Sequence, residues 1–146
     1  MTKVITLPAH NSDKASKIEP CLRRFCSVIA LTKKSEPNYS GIYFIFFKEF
    51  PKLLKIGCSS DINKRLSNYI THTPFEICIP LFLPIHSRYK LNEVESEFHN
   101  LCRYYKHSGE WFHFTGQVKT MVERLCIACS FQPQMLRRNR TFIQVH

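Results

Sequence analysis

The sequence predicts an α+β fold in which the elements follow the order β-β-α-β-α, with one more helix after them. Three short runs, at 42–48, 53–56 and 75–85, are rich in Ile, Leu and Phe, as strands are. The stretches that separate and follow them place apolar residues every three or four positions, which is the spacing of amphipathic helices. The chain has 146 residues, enough to bury one core without disulfide bonds.

The first two predicted strands form a hairpin. Ile42–Lys48 and Leu53–Ile56 are separated by a turn at 50–52 that contains a proline. Both strands are almost wholly apolar, which predicts burial. Yet Tyr43 lies at the head of the first strand and Lys55 near the end of the second. These two polar side chains therefore need an explanation besides core packing.

A helix is expected after the hairpin, because its start carries local signals. Ser59 or Ser60 is expected to cap the helix. Asp61 lies in the first turn, where a negative charge is favourable. The apolar spacing then continues the helix to about Ile70.

The rest of the core combines a third strand with two helices. The strand is expected at Phe75–Ile85, where Pro80 makes it an edge strand or breaks it. Ser87–Tyr105 is the longest helical pattern. A short extended segment follows at Trp111–Phe114, and Thr115–Cys129 is expected to form the last helix.

Three regions are expected along the chain. Residues 1–40 form a basic N-terminal extension with a helix over Ile18–Leu31. Residues 41–115 form the core, and residues 116–146 carry the C-terminal helix and a basic tail.

The net charge of +10 is concentrated towards the two ends of the chain. Residues 1–40 hold seven Lys or Arg against three Asp or Glu, and residues 133–146 hold three arginines and no acid. Basic flanks indicate a polyanionic partner, with nucleic acid first, and plain solubility is the alternative. No membrane span or signal peptide is recognisable, so the expected location is the cytoplasm, or the nucleus in a eukaryotic or viral setting.

The seven cysteines raise the question of disulfides or zinc. An odd count without a signal peptide argues against a disulfide framework, and small buried residues are expected instead. Zinc binding would need Cys21 and Cys26 to meet Cys126 and Cys129. The last two also fit core packing in a helix, and this interpretation is favoured.

Six polar side chains are expected beside the buried stripes of the strands and helices: Tyr43, Lys55, Arg65, Tyr69, Glu95 and His99. Within each predicted helix the two residues are four positions apart and share one face. A tyrosine, an arginine and a glutamate around one small sheet suit phosphodiester hydrolysis. That reaction needs a carboxylate for a divalent metal, a cation for the phosphate oxygens and a group that accepts a proton from water.

Five motifs occur in a fixed order along the core. They are GIY at 41–43, KIG at 55–57, the arginine of the next helix at 65, E-x3-H at 95–99 and EWF at 110–112. Together they resemble the GIY-YIG nuclease superfamily, in particular its phage- and virus-rich branch with KIG in place of YIG. The resemblance covers about half of the chain, from Gly41 to Phe114.

The resemblance implies a small antiparallel three-stranded sheet flanked by helices, and a metal-dependent endonuclease acting on DNA. Tyr43 would hold or deprotonate the attacking water. Because a free tyrosine has a pKa of about 10, a nearby cation or metal would have to assist it as a base. Arg65 would contact the scissile phosphate through its planar fork. Glu95 would bind one Mg²⁺ or Mn²⁺.

Further roles follow from the resemblance for neighbouring residues. Tyr69 matches a position where members carry Tyr or His near the site. Lys55 replaces the second motif tyrosine and would act as a point charge on the nucleophile or phosphate. Cys58 stands where many members have a lysine. His99 is either a substrate contact or a half-buried structural histidine.

Basic residues outside this group are expected to bind the nucleic-acid backbone: Lys64, Arg137, Arg138 and Arg140. Glu110 is expected to pair with Arg103 or Lys106 and is not assigned to the site.

Three functions are consistent with these observations. The leading hypothesis is a metal-dependent endonuclease with DNA as the expected substrate and RNA as the alternative. Cutting both DNA strands would need either a homodimer or two successive binding events by one monomer, and the sequence leaves both alternatives open. The second hypothesis is a catalytically inactive nucleic-acid-binding module of the same fold, which Lys55 and Cys58 favour. The third is a zinc-stabilised interaction protein, which rests on the cysteines.

Overall fold

The computed structural model describes residues 39–136. The predicted N-terminal helix over Ile18–Leu31 and the basic tail with Arg137, Arg138 and Arg140 lie outside the described residues. The strands are β1 (Gly41–Phe47), β2 (Leu53–Ser59), β3 (Ile77–Pro84), β4 (Lys106–Ser108), β5 (Trp111–His113) and β6 (Gln134–Leu136). The helices are α1 (Ile62–His72), α2 (Leu91–Leu101) and α3 (Gly116–Ala128), with a short 3-10 turn at Arg103–Tyr105.

The strands form one antiparallel sheet of six strands in the order β4-β5-β2-β1-β3-β6. The expected three-stranded sheet was therefore wrong, although the α+β class is confirmed. The three predicted strands form the centre, and β4, β5 and β6 extend the sheet at both edges. Each added strand has only three residues, which is too short to show an alternating pattern in the sequence.

Helices cover both faces of the sheet. α1 packs Ile62, Leu66 and Ile70 against one face. α2 and α3 cover the other face with side chains that include Phe98 and Leu125. Because a strand covered on both sides buries successive side chains, its sequence is continuously apolar. Among residues 39–136, no helix combines the length and the hydropathy needed to cross a bilayer.

Pro80 lies inside the sheet, so the edge-strand prediction was wrong. β3 pairs with β1 on one side and with β6 on the other. Phe44 of β1 faces Leu81, whereas Phe46 faces Cys78, so two residues of β3, Pro80 among them, lie opposite one residue of β1. Such a bulge leaves a residue outside the hydrogen-bond ladder, which suits a proline without an N–H. The alternative prediction, an interruption at Pro80, is closer to the structure.

The connection from β2 to α1 also differs from the expected one. β2 continues to Ser59 because this residue pairs with Gly41. The helix is therefore capped by Asp61 and not by Ser59 or Ser60: Asp61 Oδ1 accepts a hydrogen bond from the Lys64 N–H at 3.2 Å. Ser59 Oγ accepts one from the Asp61 N–H at 3.1 Å, which fixes the turn ahead of the helix.

Gly41 lies where β1 passes close to β3, and this contact predicts a stability effect. An added Cβ would overlap the Leu83 carbonyl oxygen and come within 3.0 Å of Pro84 Cα. Because backbone atoms would have to move, we expect Gly41→Ala to lower the free energy of unfolding by about 2 kcal/mol, measured by urea denaturation. Gly109→Asn is the control, since nothing lies within 4 Å of its added Cβ and asparagine tolerates positive φ. Equal losses in the two variants would contradict the prediction.

Candidate active site

Tyr43 is a core residue, with 2% of its surface exposed. It points to the face of the sheet that α1 covers, since Ile42 and Phe44 belong to the cluster on the other face. Its ring lies over Gly57, its cross-strand partner on β2, and an added Cβ at Gly57 would overlap the ring. The glycine of the second motif therefore makes room for the tyrosine of the first.

The Tyr43 hydroxyl meets α1 through Tyr69. The two hydroxyl oxygens are 3.2 Å apart, and the rings meet edge to face with centroids 6.4 Å apart. Arg65 lies one turn earlier on α1 and is exposed. Lys55 Nζ lies 4.8 Å from the centre of the Tyr69 ring, in a cation–π contact. Four predicted site residues thus come together on this face.

Burial raises the pKa of Tyr43 well above its ordinary value. The hydrogen bond and the electrostatic interaction with Tyr69 raise this pKa further, while the positive charge of Arg65 lowers it in part. The groups of the chain therefore keep Tyr43 protonated at neutral pH. In this state the hydroxyl donates or accepts a hydrogen bond and is not a phenolate base.

Glu110 pairs with Lys55 instead of with the expected Arg103 or Lys106. The distance between Lys55 Nζ and Glu110 Oε2 is 3.5 Å. The carbonyl oxygen of Glu110 also accepts a hydrogen bond from the Ile56 N–H at 3.1 Å. Glu110 therefore belongs to the site. Glu110 is the first residue of the EWF motif at 110–112, but its position beside Lys55 depends on the pairing of β2 with β5.

Glu95 and His99 reach the end of β2 from α2, on the opposite face. His99 Nε2 lies 2.7 Å from the carbonyl oxygen of Ile56 and 3.6 Å from Glu95 Oε1. A carbonyl oxygen only accepts, so His99 donates its Nε2 proton to Ile56. The ring of His99 also packs on Phe112, with centroids 5.1 Å apart. These contacts favour the structural role among the two interpretations of His99.

Cys58 lies between these groups. Its thiol donates a hydrogen bond to Asn92 Oδ1 at 3.4 Å. Burial, followed by the nearby carboxylate of Glu95, raises the pKa of Cys58 to about 12. Glu110 raises this pKa as well, and Arg65 lowers it. The thiol is thus within electrostatic reach of side chains from α1, from α2 and from the residue just before β5.

These side chains can meet because β2 is longer than its neighbour β5. β5 pairs only with Leu53, Leu54 and Lys55. Residues 57–59 of β2 pair with β1 on one side. On their other side, no strand of the described residues pairs with them. Side chains on both faces of the sheet therefore converge at the open edge of this stretch.

A family model matches residues 40–127, which is more than half of the chain and includes the whole site. It describes the T5orf172 domain. The chain belongs to the T5orf172 domain family. This family is found in phage-like and homing-endonuclease-related proteins, which indicates a nuclease or DNA-binding role. No curated protein and no solved structure matches the chain significantly.

Within this T5orf172 domain, the six predicted catalytic positions lie around one end of β2: Tyr43, Lys55, Arg65, Tyr69, Glu95 and His99. Lys64 is exposed on α1 beside Arg65. The sequence interpretation missed Asn92 and Glu110 as neighbours of the site. Asn92 lies three residues before Glu95 on the same helix face, and this spacing was the available signal.

Among residues 39–136, no cluster of three or more His, Cys, Asp or Glu is placed to hold a metal ion. Cys21 and Cys26 lie outside the described residues. Cys126 and Cys129 pack against the core, and Cys126 Sγ donates to the Phe131 carbonyl oxygen at 2.9 Å. These contacts favour core packing for the last two cysteines.

The electrostatic effect of Glu95 on Cys58 predicts a change in thiol reactivity. Glu95→Gln removes the negative charge that helps raise the pKa of Cys58 to about 12. The thiolate fraction then increases, so we expect alkylation of Cys58 by iodoacetamide at mildly alkaline pH to become several-fold faster. Peptide mass spectrometry resolves the individual cysteines. Cys126, whose pKa is raised by burial, is the internal control. An unchanged rate at Cys58 would contradict the effect assigned to Glu95.

Proposed function

We propose that this T5orf172 domain is a metal-dependent endonuclease of the GIY-YIG type that hydrolyses phosphodiester bonds in DNA. The observation that supports this proposal is the convergence of four side chains around residues 55–59 of β2: Tyr43, Lys55, Arg65 and Glu95. Hydrolysis of a phosphodiester needs cations for the phosphate oxygens, a carboxylate for a divalent ion and a positioned water. The four side chains offer each of these groups.

Arg65 and Lys55 would hold the phosphate in different ways. Arg65 is exposed, and its planar guanidinium can donate two parallel hydrogen bonds to phosphate oxygens. The Lys55 side chain is only 17% exposed and is held between Glu110 and the Tyr69 ring. It is therefore a fixed point charge. We assign charge stabilisation in the transition state to Arg65 and positioning of the phosphate to Lys55.

Tyr43 would position the attacking water by hydrogen bonding. Its pKa is raised, so the protonated hydroxyl is the form present at neutral pH. Tyr69, whose hydroxyl is 3.2 Å away, is half-buried and links Tyr43 to the surface. Removal of the Tyr43 proton would require additional positive charge close to the hydroxyl. The role that the buried hydroxyl supports is therefore orientation of water.

Glu95 would hold Mg²⁺ or Mn²⁺. Its side chain is 15% exposed and lies next to His99. One protein carboxylate, completed by waters and substrate phosphate oxygens, is a typical donor set for Mg²⁺. Zinc takes three or four protein ligands, a number that residues 39–136 do not bring together. When bound, the divalent ion would offset the negative charge that develops on the phosphate.

A DNA-binding module without catalysis is the second candidate. Two observations favour it: the pKa of Tyr43 is raised, and the thiol of Cys58 is uncharged, since its pKa is about 12. Lys64 and Arg65 are exposed on α1 and would remain available for phosphate contacts in such a module. Cleavage assays separate the two candidates.

Nuclease activity is tested with the purified chain, supercoiled plasmid and labelled single- and double-stranded oligonucleotides. We expect cleavage with Mg²⁺ or Mn²⁺ and none with a chelator. Glu95→Gln is expected to abolish cleavage. Arg65→Ala is expected to slow it by about 10²–10³-fold, because a preorganised donor to the transition state is lost. Tyr43→Phe is expected to slow it while the fold is kept, since the ring remains over Gly57.

Matched controls lie on the same elements or nearby. Glu93→Gln changes an exposed carboxylate on α2, and Arg103→Ala removes an exposed guanidinium. Both variants are expected to cleave at the wild-type rate. Cleavage that survives in Glu95→Gln would rule out the assigned metal ligand. If none of the substrates is cleaved with a metal ion present, and DNA binding weakens as salt is added, the second candidate is established.

Lys55 is expected to act through its charge. Lys55→Met should slow cleavage by at least tenfold, and Lys55→Arg should retain part of the rate because the charge is kept. The ion pair with Glu110 contributes at most about 1 kcal/mol of stability, because the Glu110 side chain is 44% exposed. The double variant Lys55→Met/Glu110→Gln leaves no unpaired carboxylate. If it recovers the wild-type rate, the loss in Lys55→Met comes from Glu110, and the role of Lys55 is refuted.

A further inference from the structure

A row of aromatic rings continues from the candidate site across the surface of the sheet. Trp111 and Phe47 have ring centroids 5.6 Å apart, Phe47 and Phe75 5.7 Å, and Phe75 and Phe50 5.3 Å. We call these four residues the aromatic row. The planes are tilted or perpendicular, which are favourable arrangements for aromatic pairs. None of the catalytic roles proposed above uses these four rings.

The aromatic row lies on the α1 face of the sheet. α1 packs its buried residues with those of β1, β3 and β6. Trp111 of β5 lies opposite Lys55 of β2 and is only half-buried, as are Phe47 and Phe75. Phe50 is 50% exposed. Four large rings thus form a partly exposed surface that runs from β5, past the end of β1, to the segment just before β3.

Lys55 joins the aromatic row to the candidate site. Its Nζ lies 5.8 Å from the centre of the Trp111 ring and 4.8 Å from the centre of the Tyr69 ring. Tyr69 in turn contacts the Tyr43 hydroxyl at 3.2 Å. A nucleic-acid strand whose phosphate is held at Lys55 would therefore have its neighbouring nucleotides beside the aromatic row.

Charged side chains of both signs lie near the aromatic row. Lys52 and Glu49 are exposed in the turn between β1 and β2, beside Phe50. Lys48 pairs with Glu76 at 3.4 Å, and Lys55 pairs with Glu110. Proteins bind single-stranded nucleic acid by combining aromatic rings with cations, since bases stack on rings and cations follow the phosphates. Here Lys55 and Lys52 are the cations beside the rings.

We infer that the aromatic row binds unpaired nucleobases next to the phosphate that is cleaved. This inference rests on the proposed function and specifies its substrate class: a single strand, or a duplex with unpaired nucleotides on one side of the cut. In a duplex each base is stacked between its neighbours, so its face is not available to a protein ring. An unpaired base exposes its face. Stacking of this kind depends little on the identity of the base.

Trp111 is the single tryptophan of the chain, so its fluorescence reports on this surface directly. The full chain is titrated, in chelator, with three probes of equal length: oligo-dT, the same backbone with abasic residues, and a duplex. We expect oligo-dT to quench the Trp111 emission and to bind about tenfold more tightly than the abasic strand. Equal binding and quenching by oligo-dT and the abasic strand, or tighter binding and stronger quenching by the duplex, would overturn the inference.

Variants distinguish ring stacking from apolar contact. Phe50→Leu keeps an apolar side chain at a half-exposed position and retains Trp111, so folding and the fluorescent probe are preserved. It is expected to lose most of the preference for oligo-dT over the abasic strand. Tyr104→Leu is the matched control, because Tyr104 is 83% exposed and its ring contacts Arg103, outside the aromatic row. An unchanged preference in Phe50→Leu, or an equal loss in Tyr104→Leu, would refute the assignment.

The binding assay is independent of catalysis. If oligo-dT quenches Trp111 but no metal-dependent cleavage occurs, the aromatic row is supported and the endonuclease proposal fails. If cleavage occurs on duplexes and no probe quenches Trp111, the endonuclease proposal is supported and the aromatic row is refuted. The cleavage rates of duplexes with and without an unpaired segment give a second measure, since the inference predicts faster cleavage of the former.

Discussion

The pairing of β1 with β2 is the constraint on which the other features depend. It places the Tyr43 ring over Gly57, at a position where any side chain on β2 would overlap it. Because β1 lies between β2 and β3, with helices on both faces, Tyr43 is withdrawn from water. This burial directs the hydroxyl to Tyr69 and raises the pKa of Tyr43. The same pairing extends β2 to Ser59, past the end of β5.

The unequal lengths of β2 and β5 explain how groups from both faces of a sheet serve one site. Glu95 approaches from the face of α2, whereas Arg65 approaches from the face of α1. Both affect the titration of Cys58, which lies on the open stretch of β2. Three residues earlier on the same strand, Lys55 is still flanked by Trp111 of β5. Lys55 therefore separates the proposed catalytic centre from the aromatic row and contacts both.

Local sequence patterns predicted the central part of the fold because their causes are local. The apolar runs of β1 and β2, the turn between them and the helical spacing of α1 and α3 are confirmed. The polar residues beside the buried stripes were also predicted to come together. The structure places Tyr43, Lys55 and Arg65 on one face and Glu95 at the same end of β2. Their catalytic roles stay predictions.

The sequence by itself determined the central strands and helices and the six candidate catalytic positions, since periodicity and motif spacing are properties of short segments. Tertiary structure alone decided the six-stranded sheet and the bulge that accepts Pro80. It also decided that Glu110 pairs with Lys55 and that Cys58 lies among the charged groups. These features depend on hydrogen bonds and contacts between distant segments, and such pairings leave no periodic signal along the chain.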